Sequence, residues 1–281
     1  MQDLAHRVAV VTGGGSGIGR GIALALADEG MDVVIADIER GPAEHVASEI
    51  RTRAVRSFAV HTDVTKQSSV DRLAQHVESE FGAVHLLSNN AGVISTGPLE
   101  LATEHDWKWV FSVNLDGMVN TVRAFLPQLK AQPGEKHIVN TTSMAGLVPL
   151  ADQFPIGVYT ASKYAATGFS EMLAAELAEH HIGVSILCAG MVNTNLGATS
   201  ARNRPPQFGG PMPVPESQPT AEPARGAMDP KDVGRIVVRG VKQNRRYIFT
   251  DPTSRSFIET RFGHILADFD AHARDEAAAA R

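Results

Sequence analysis

The sequence predicts an α/β fold: a single doubly wound parallel sheet of about seven strands, with helices on both faces. Three observations carry this. Short apolar runs alternate with longer segments whose apolar residues recur at spacings of three and four, the pattern of strands joined by crossover helices. Hydrophobic residues make up 43% of the chain, enough to cover both faces of such a sheet. No linker or change of charge divides the first 200 residues, so the whole of 1–281 reads as one domain.

The elements follow in order. Strand 8–12 is apolar and runs straight into a glycine-rich turn and helix 18–29. Strand 33–37 closes on Asp37 and leads to helix 43–51; strand 58–60 and helix 68–81 complete the next unit. Strand 86–88 precedes a long helix over 104–129, and strand 137–141 precedes one that opens near Tyr159 and runs to 179. Strand 184–188, helix 231–243 and strand 247–250 close the series. Residues 205–230 hold eight of the fifteen prolines and no periodicity, so 197–230 is read as a proline-rich substrate lid. The tail, 253–281, is weakly helical and ends in four alanines before Arg281, as a docked or frayed terminus would.

Composition excludes several functions. Twenty-six Lys and Arg against 31 Asp and Glu leave a net charge of −5 without a basic run, so no nucleic acid partner is expected. No stretch reaches the ~18 consecutive apolar residues of a membrane span. One cysteine cannot form an internal disulfide, and the first residues lack the apolar core of a secretory signal; a cytoplasmic protein is expected. Cys188 lies in an apolar strand as a small buried hydrophobe, and His180-His181 close a helix with no ligand at metal-binding spacing, so no metal site is expected. Trp107 and Trp109, two apart on a helix, face different ways: one into the core, the other toward a subunit contact.

The turn Thr12-Gly13-Gly14-Gly15-Ser16-Gly17-Ile18-Gly19 lies between the first strand and first helix. Glycines there allow a tight turn and close backbone approach, and the free N–H groups and positive dipole end of the helix favour a pyrophosphate. Asp37 follows Gly19 by 18 residues, the separation at which a carboxylate receives the hydroxyls of an adenosine ribose, with Ile38 beside it. This is a Rossmann-type, dinucleotide-binding arrangement. Tyr159 and Lys163 are four apart and share one helix face, where the Lys cation is expected to lower the phenol pKa and make Tyr159 an acid/base. Ser143, after the fifth strand, is placed to hydrogen-bond a substrate oxygen, and Thr141 ends that strand.

With these residues the chain resembles the short-chain dehydrogenase/reductase family. The glycine signature matches at Thr12, Gly13, Gly17 and Gly19; Asp63-Val64, Asn89-Asn90-Ala91-Gly92, Asn114, Ser143 and Tyr159-x3-Lys163 follow in the family's order. The resemblance implies that Asp63 and Val64 meet the adenine, that Asn90, Ala91 and Gly92 line the centre of NAD, and that Lys163 binds the nicotinamide ribose. It also implies that Asn114 holds a proton-relaying water. The family's loop after the sixth strand appears as Ala189-Gly190-Met191-Val192-Asn193-Thr194, with Gly190, Val192 and Thr194 on the cofactor; Ala189 in place of proline implies a less rigid loop. A homo-oligomer, tetramer or dimer, pairing through helices 104–129 and 159–179 is implied as well.

The expected reaction is NAD-dependent interconversion of a secondary alcohol and its ketone. The alternatives are a catalytically silent dinucleotide-binding regulator, an NADP-dependent carbonyl reductase, or a lyase or dehalogenase on this fold. NAD is favoured because a 2′-phosphate would meet the Asp37 carboxylate; Arg40 is the one nearby counter-argument. Residues 144–158 and 205–215 are mostly apolar and without Arg or Lys, although Arg202 and Arg204 lie in the lid just before the second stretch. Ser143, Ala145, Leu150, Phe154, Tyr159, Met191 and Phe208 are therefore expected to contact a bulky, mostly apolar small-molecule substrate.

Overall fold

The seven apolar runs form one parallel sheet in the order β3-β2-β1-β4-β5-β6-β7 in a computed structural model that describes residues 1–150, 154–213 and 226–280. The strands are β1 Val8–Thr12, β2 Asp32–Asp37, β3 Ser57–His61, β4 Leu86–Asn89, β5 Lys136–Thr141, β6 Ile182–Cys188 and β7 Tyr247–Phe249. Val10 pairs with Val34 on one side and Leu87 on the other, so β1 lies inside the sheet. The strand order reverses between β1 and β4, and the loops that diverge there open a crevice at the carboxyl ends of the strands.

Helices cover both faces. On one lie α1 Gly17–Asp28, α2 Arg40–Arg51 and α8 Pro230–Lys242, packed on Val11, Val33 and Ile35. Helices α1 and α8 touch backbone to backbone: a Cβ on Gly21 would lie 1.9 Å from the Pro230 carbonyl oxygen, and one on Gly234 would lie 2.1 Å from that of Gly21. The other face carries α3 Gln67–Phe81, α4 Glu104–Phe111, α5 Gly117–Ala131 and α6 Gly157–Glu176, with Leu73, Phe125, Leu129 and Leu173 over Val10, Leu87 and Ile138. Cys188 is fully buried in β6 and unpaired.

Three segments depart from the sequence reading. The helix expected over 104–129 is divided by a widened turn at Ser112–Asp116, where the helix accommodates an extra residue. The insertion draws Asn114 inward, and Gly117 follows against Val64, whose Cγ2 would lie 2.7 Å from a Cβ there. The turn is only five residues long, too short a stretch for apolar periodicity to reveal it. The lid segment begins as a helix, α7 Leu196–Asn203, and continues into a tight turn at Pro206–Phe208; 214–225 lie outside the described residues. The tail is an uninterrupted helix, α9 Arg255–Ala279, rather than a weakly helical end. Trp109 is buried and Trp107 is 38% exposed. Among the described residues no helix is long and apolar enough to cross a membrane.

Candidate active site

A cavity of about 580 Å³ runs along the crevice, from Asp37 at one end to Tyr159 and the lid at the other. At the first end the glycine turn leaves no room for side chains. Gly13 has φ +62°, and a Cβ there would lie 2.8 Å from the Ala91 Cα. At Gly19 it would lie 2.1 Å from the Gly13 carbonyl oxygen. Hydrogen bonds stitch this turn to the loop after β4: Thr12 Oγ1 accepts from the N–H groups of Asn90 and Ala91 at 3.0 and 3.1 Å, and Asn90 Nδ2 donates to the Thr12 and Gly13 carbonyls, both at 3.2 Å. The amino end of α1 carries no side-chain cap, and Ser16, Gly17 and Ile18 line the cavity there. An uncapped helix start with its N–H groups turned to a cleft fits a pyrophosphate.

Asp37 closes that end. Its two carboxylate oxygens accept from the N–H groups of Gly15 and Glu39, each at 2.9 Å. Burial raises the Asp37 pKa, and those two bonds oppose the rise. Arg40 is exposed and lines an outer groove with His61 and Arg72, away from the crevice. Asp63 accepts from the Thr65 N–H and hydroxyl at 3.0 and 2.7 Å and pairs with Lys66 at 2.9 Å; burial would raise its pKa, but these partners hold it below the usual carboxylate value. Ile38, Val64, Asn90, Ala91, Gly92 and Thr141 line the same cavity, as do Gly190, Val192 and Thr194.

The loop of those last three residues is tied down without the expected proline. The Gly190 N–H donates to Thr250 Oγ1 at 2.9 Å, and Val192 bridges to Met228 in parallel register.

At the far end Tyr159 and Lys163 are both buried, one turn apart on α6. Lys163 Nζ donates to the Thr141 carbonyl at 2.9 Å and stands 5.6 Å from the Tyr159 ring centroid. Burial pushes the Tyr159 phenol up to about 12, countered in part by a hydrogen bond with Ser143, and burial brings Lys163 down to about 8. The expected lowering of the phenol by the ammonium is therefore reversed in this state. Desolvation dominates, and the ammonium is directed to the Thr141 carbonyl. Ser143 Oγ accepts from the Ala145 N–H at 3.1 Å and lies 3.4 Å from the Ala189 carbonyl, to which it donates.

Three residues expected in the site stand behind its wall. Gly19 serves packing within the turn. Asn114 is buried; its Oδ1 accepts from the Val93 N–H at 2.8 Å, and its Nδ2 donates to the Val93 carbonyl and to Ser162 Oγ, both at 2.9 Å. Its carboxamide thus fixes the loop that carries Ala91 and Gly92. Phe208 packs on Trp109, Val110 and Val158 beneath the lid, because its tight turn directs it inward. The lid reaches the cavity through Leu196, Thr199, Asn203 and Pro205 instead.

Neither lid arginine lines the cavity. Arg202 pairs with Glu39 at 2.7 Å, and the buried Arg204 pairs with Asp106 at 2.7 Å while lying over the Trp109 ring. Ala145, Leu150, Phe154 and Met191 do line it, joined by Ile156, Asp251 and, from the first turn of α9, Phe257. No spacing in the sequence links Phe257 to Tyr159, since only the packing of the tail brings them together.

The model of the short chain dehydrogenase family matches residues 7–205. A C alpha-dehydrogenase of Sphingobium sp. is 31% identical over 270 residues, covering 95% of this chain and 87% of the relative. A CLA biosynthesis dehydrogenase/reductase of Lactiplantibacillus plantarum is 31% identical over 287 residues, covering 98% and 99%. A short chain dehydrogenase/reductase of Burkholderia phymatum, solved in complex with NAD, superposes with a TM-score of 0.85 at 34% identity, covering 95% of this chain and 97% of that one.

Proposed function

We infer the reaction from one premise: the chain belongs to the short-chain dehydrogenase/reductase family. It is a NAD-dependent oxidoreductase that interconverts a bulky, mostly apolar secondary alcohol and its ketone. The observation that carries this is the placement of Ser143, Tyr159 and Lys163 on the same cavity as the glycine turn and Asp37.

Bound in that crevice, the nicotinamide supplies the hydride acceptor or donor. Ser143 holds the substrate oxygen; the Tyr159 hydroxyl gives its proton in reduction, and the Tyr159 phenolate takes the alcohol's proton in oxidation. Lys163 holds the end of the fifth strand beside the phenol by donating to the Thr141 carbonyl. Asn114, through Val93, keeps Ala91 and Gly92 in place. NAD is favoured over NADP because the Asp37 carboxylate closes the crevice while Arg40 faces another groove.

Leu150, Phe154, Ile156, Met191 and Phe257 support the substrate class: at this end the charged groups among the described lining residues are Lys163 and Asp251, and no arginine is present to hold a carboxylate or phosphate. A homo-oligomer is also proposed, with α4, α5 and α6 as one contact; exposed Trp107 and Met172 support it.

Nicotinamide absorbance, followed with NAD and with NADP over uncharged secondary alcohols of increasing bulk, tests the reading. NAD should exceed NADP at least tenfold in kcat/KM, and kcat/KM should rise with apolar bulk. Binding of NAD without turnover of any alcohol or ketone would identify a silent binder and overturn it.

A further inference from the structure

Helix α7, Leu196–Asn203, lies across the crevice and is fastened on both of its banks. On the bank of β4, the Ser200 hydroxyl, 2% exposed, accepts from the Ile94 N–H at 3.0 Å, and Arg204, just past the helix, pairs with Asp106 of α4 at 2.7 Å. On the bank of β2, the Arg202 guanidinium grips Glu39: Nε and Nη2 both donate to Oε1, at 2.9 and 2.7 Å, and Nη2 also donates to Oε2 at 3.0 Å. Ile94 follows β4 and Glu39 follows β2, so the fastenings stand on opposite sides of the point where the strand order reverses. Between them Leu196, Thr199 and Asn203 form part of the wall of the cavity that also holds the glycine turn and Asp37.

The two banks hold α7 with different strength. The Arg204 side chain is 7% exposed and lies over the Trp109 ring, whereas that of Arg202 is 55% exposed. Parting a buried pair strands a charge away from water, while an exposed pair exchanges its partner for water at little cost. The helix therefore parts from the β2 bank first and stays attached at Ser200 and Arg204. The Glu39 carboxylate is free for the exposed pair: Glu39 begins α2, yet its side chain caps nothing in that helix, and its N–H is given to Asp37 at 2.9 Å. Several parallel N–H bonds from one planar guanidinium also fix the direction of approach, as a single ammonium would not.

We propose that the Arg202–Glu39 pair is a latch that sets how fast NAD enters and leaves the crevice. A dinucleotide reaching from Asp37 to Tyr159 lies beneath α7 and passes in or out when Arg202 lets go. Arg202 itself does not line the cavity, so the latch is no cofactor contact. An interaction equally strong with and without the ligand cannot shift the binding equilibrium, and its loss lowers the barrier for entry and exit alike. Arg202 and Glu39 are thus positioning residues. The proposal rests on NAD occupying the crevice and is independent of the alcohol assigned to the other end.

Stopped-flow fluorescence of NADH binding to the full chain reads this exchange without turnover. Arg202→Met should raise the association and dissociation rate constants together by about fivefold, roughly 1 kcal/mol of barrier, with the dissociation constant held within about twofold and the thermal midpoint unchanged. Arg202→Lys, which keeps the charge and loses the fork, should fall between Arg202→Met and wild type. The double variant Glu39→Gln/Arg202→Met should exchange no faster than Arg202→Met, since one pair is broken only once. Added salt should speed exchange in the wild type more than in Arg202→Met, because an exposed pair is screened. Unchanged rates in Arg202→Met, or independent effects of the two substitutions that multiply, would overturn the proposal. Faster dissociation with an unaltered association rate, the mark of a lost cofactor contact, would overturn it too. A wild type that binds no NADH would overturn the assignment of the crevice to a dinucleotide, and the latch with it.

Discussion

The two ends of the crevice are built by different means. At the dinucleotide end the glycine turn, Thr12, Asn90 and Asp37 are locked by backbone hydrogen bonds and contacts too close for a Cβ. Their geometry follows from short stretches at the ends of adjacent strands. At the substrate end the wall is assembled from 144–156, from α7 and from the first turn of α9, segments far apart in sequence that meet through side chains. The first arrangement leaves no room for a Cβ at Gly13 or Gly19. The second can change residue by residue, and loops on a rigid scaffold are where specificity resides.

The sharpest separation of the two ends should come from Tyr159→Phe. Positioned acid–base groups contribute roughly 10²–10⁴-fold, so kcat should fall by that much while the NAD dissociation constant, by fluorescence titration, stays within about threefold. Activity above about a tenth of wild type would remove Tyr159 from the reaction.

Gly19→Ala attacks the opposite end. With the Gly13 carbonyl 2.1 Å from the new Cβ, the turn must shift, and NAD affinity should fall by about 10²-fold, roughly 2.7 kcal/mol. Undiminished affinity would show that the turn is not locked.

A pH profile tests the chemical centre that the ends share. Since burial pushes Tyr159 up to about 12, the proton-accepting form increases with pH, and kcat/KM for alcohol oxidation should climb between about pH 8 and 10, by up to tenfold per unit. Ketone reduction, which uses the protonated phenol, should stay level around neutrality. An oxidation plateau below pH 8 would mean that the phenol is lowered in the working complex.

The smallest effect belongs to the adaptable wall. Phe257→Ala should lower kcat/KM several-fold for bulky apolar alcohols, about 1 kcal/mol of lost burial, and leave small alcohols nearly unchanged. Equal losses for both would place Phe257 outside the substrate contact.

Much of this protein was legible in one dimension. Seven strands, the helices between them, the glycine turn, Asp37 and the Ser143, Tyr159 and Lys163 set depend on local spacing: a strand's apolar run, a four-residue helical step, a turn that only glycine can make. Each can be read because the residues that act together are close in sequence or end neighbouring strands. Tertiary structure alone decided the rest. Asn114 was visible as a polar residue in a helix, but the widened turn that aims it at Val93 leaves no periodic trace. Phe208 turned inward and Phe257 came to the cavity because of how the lid and tail pack. The direction of the Tyr159 shift was set by burial, which spacing to Lys163 does not report. Sequence carries local geometry directly, whereas desolvation and contacts between distant segments exist only after the chain has folded.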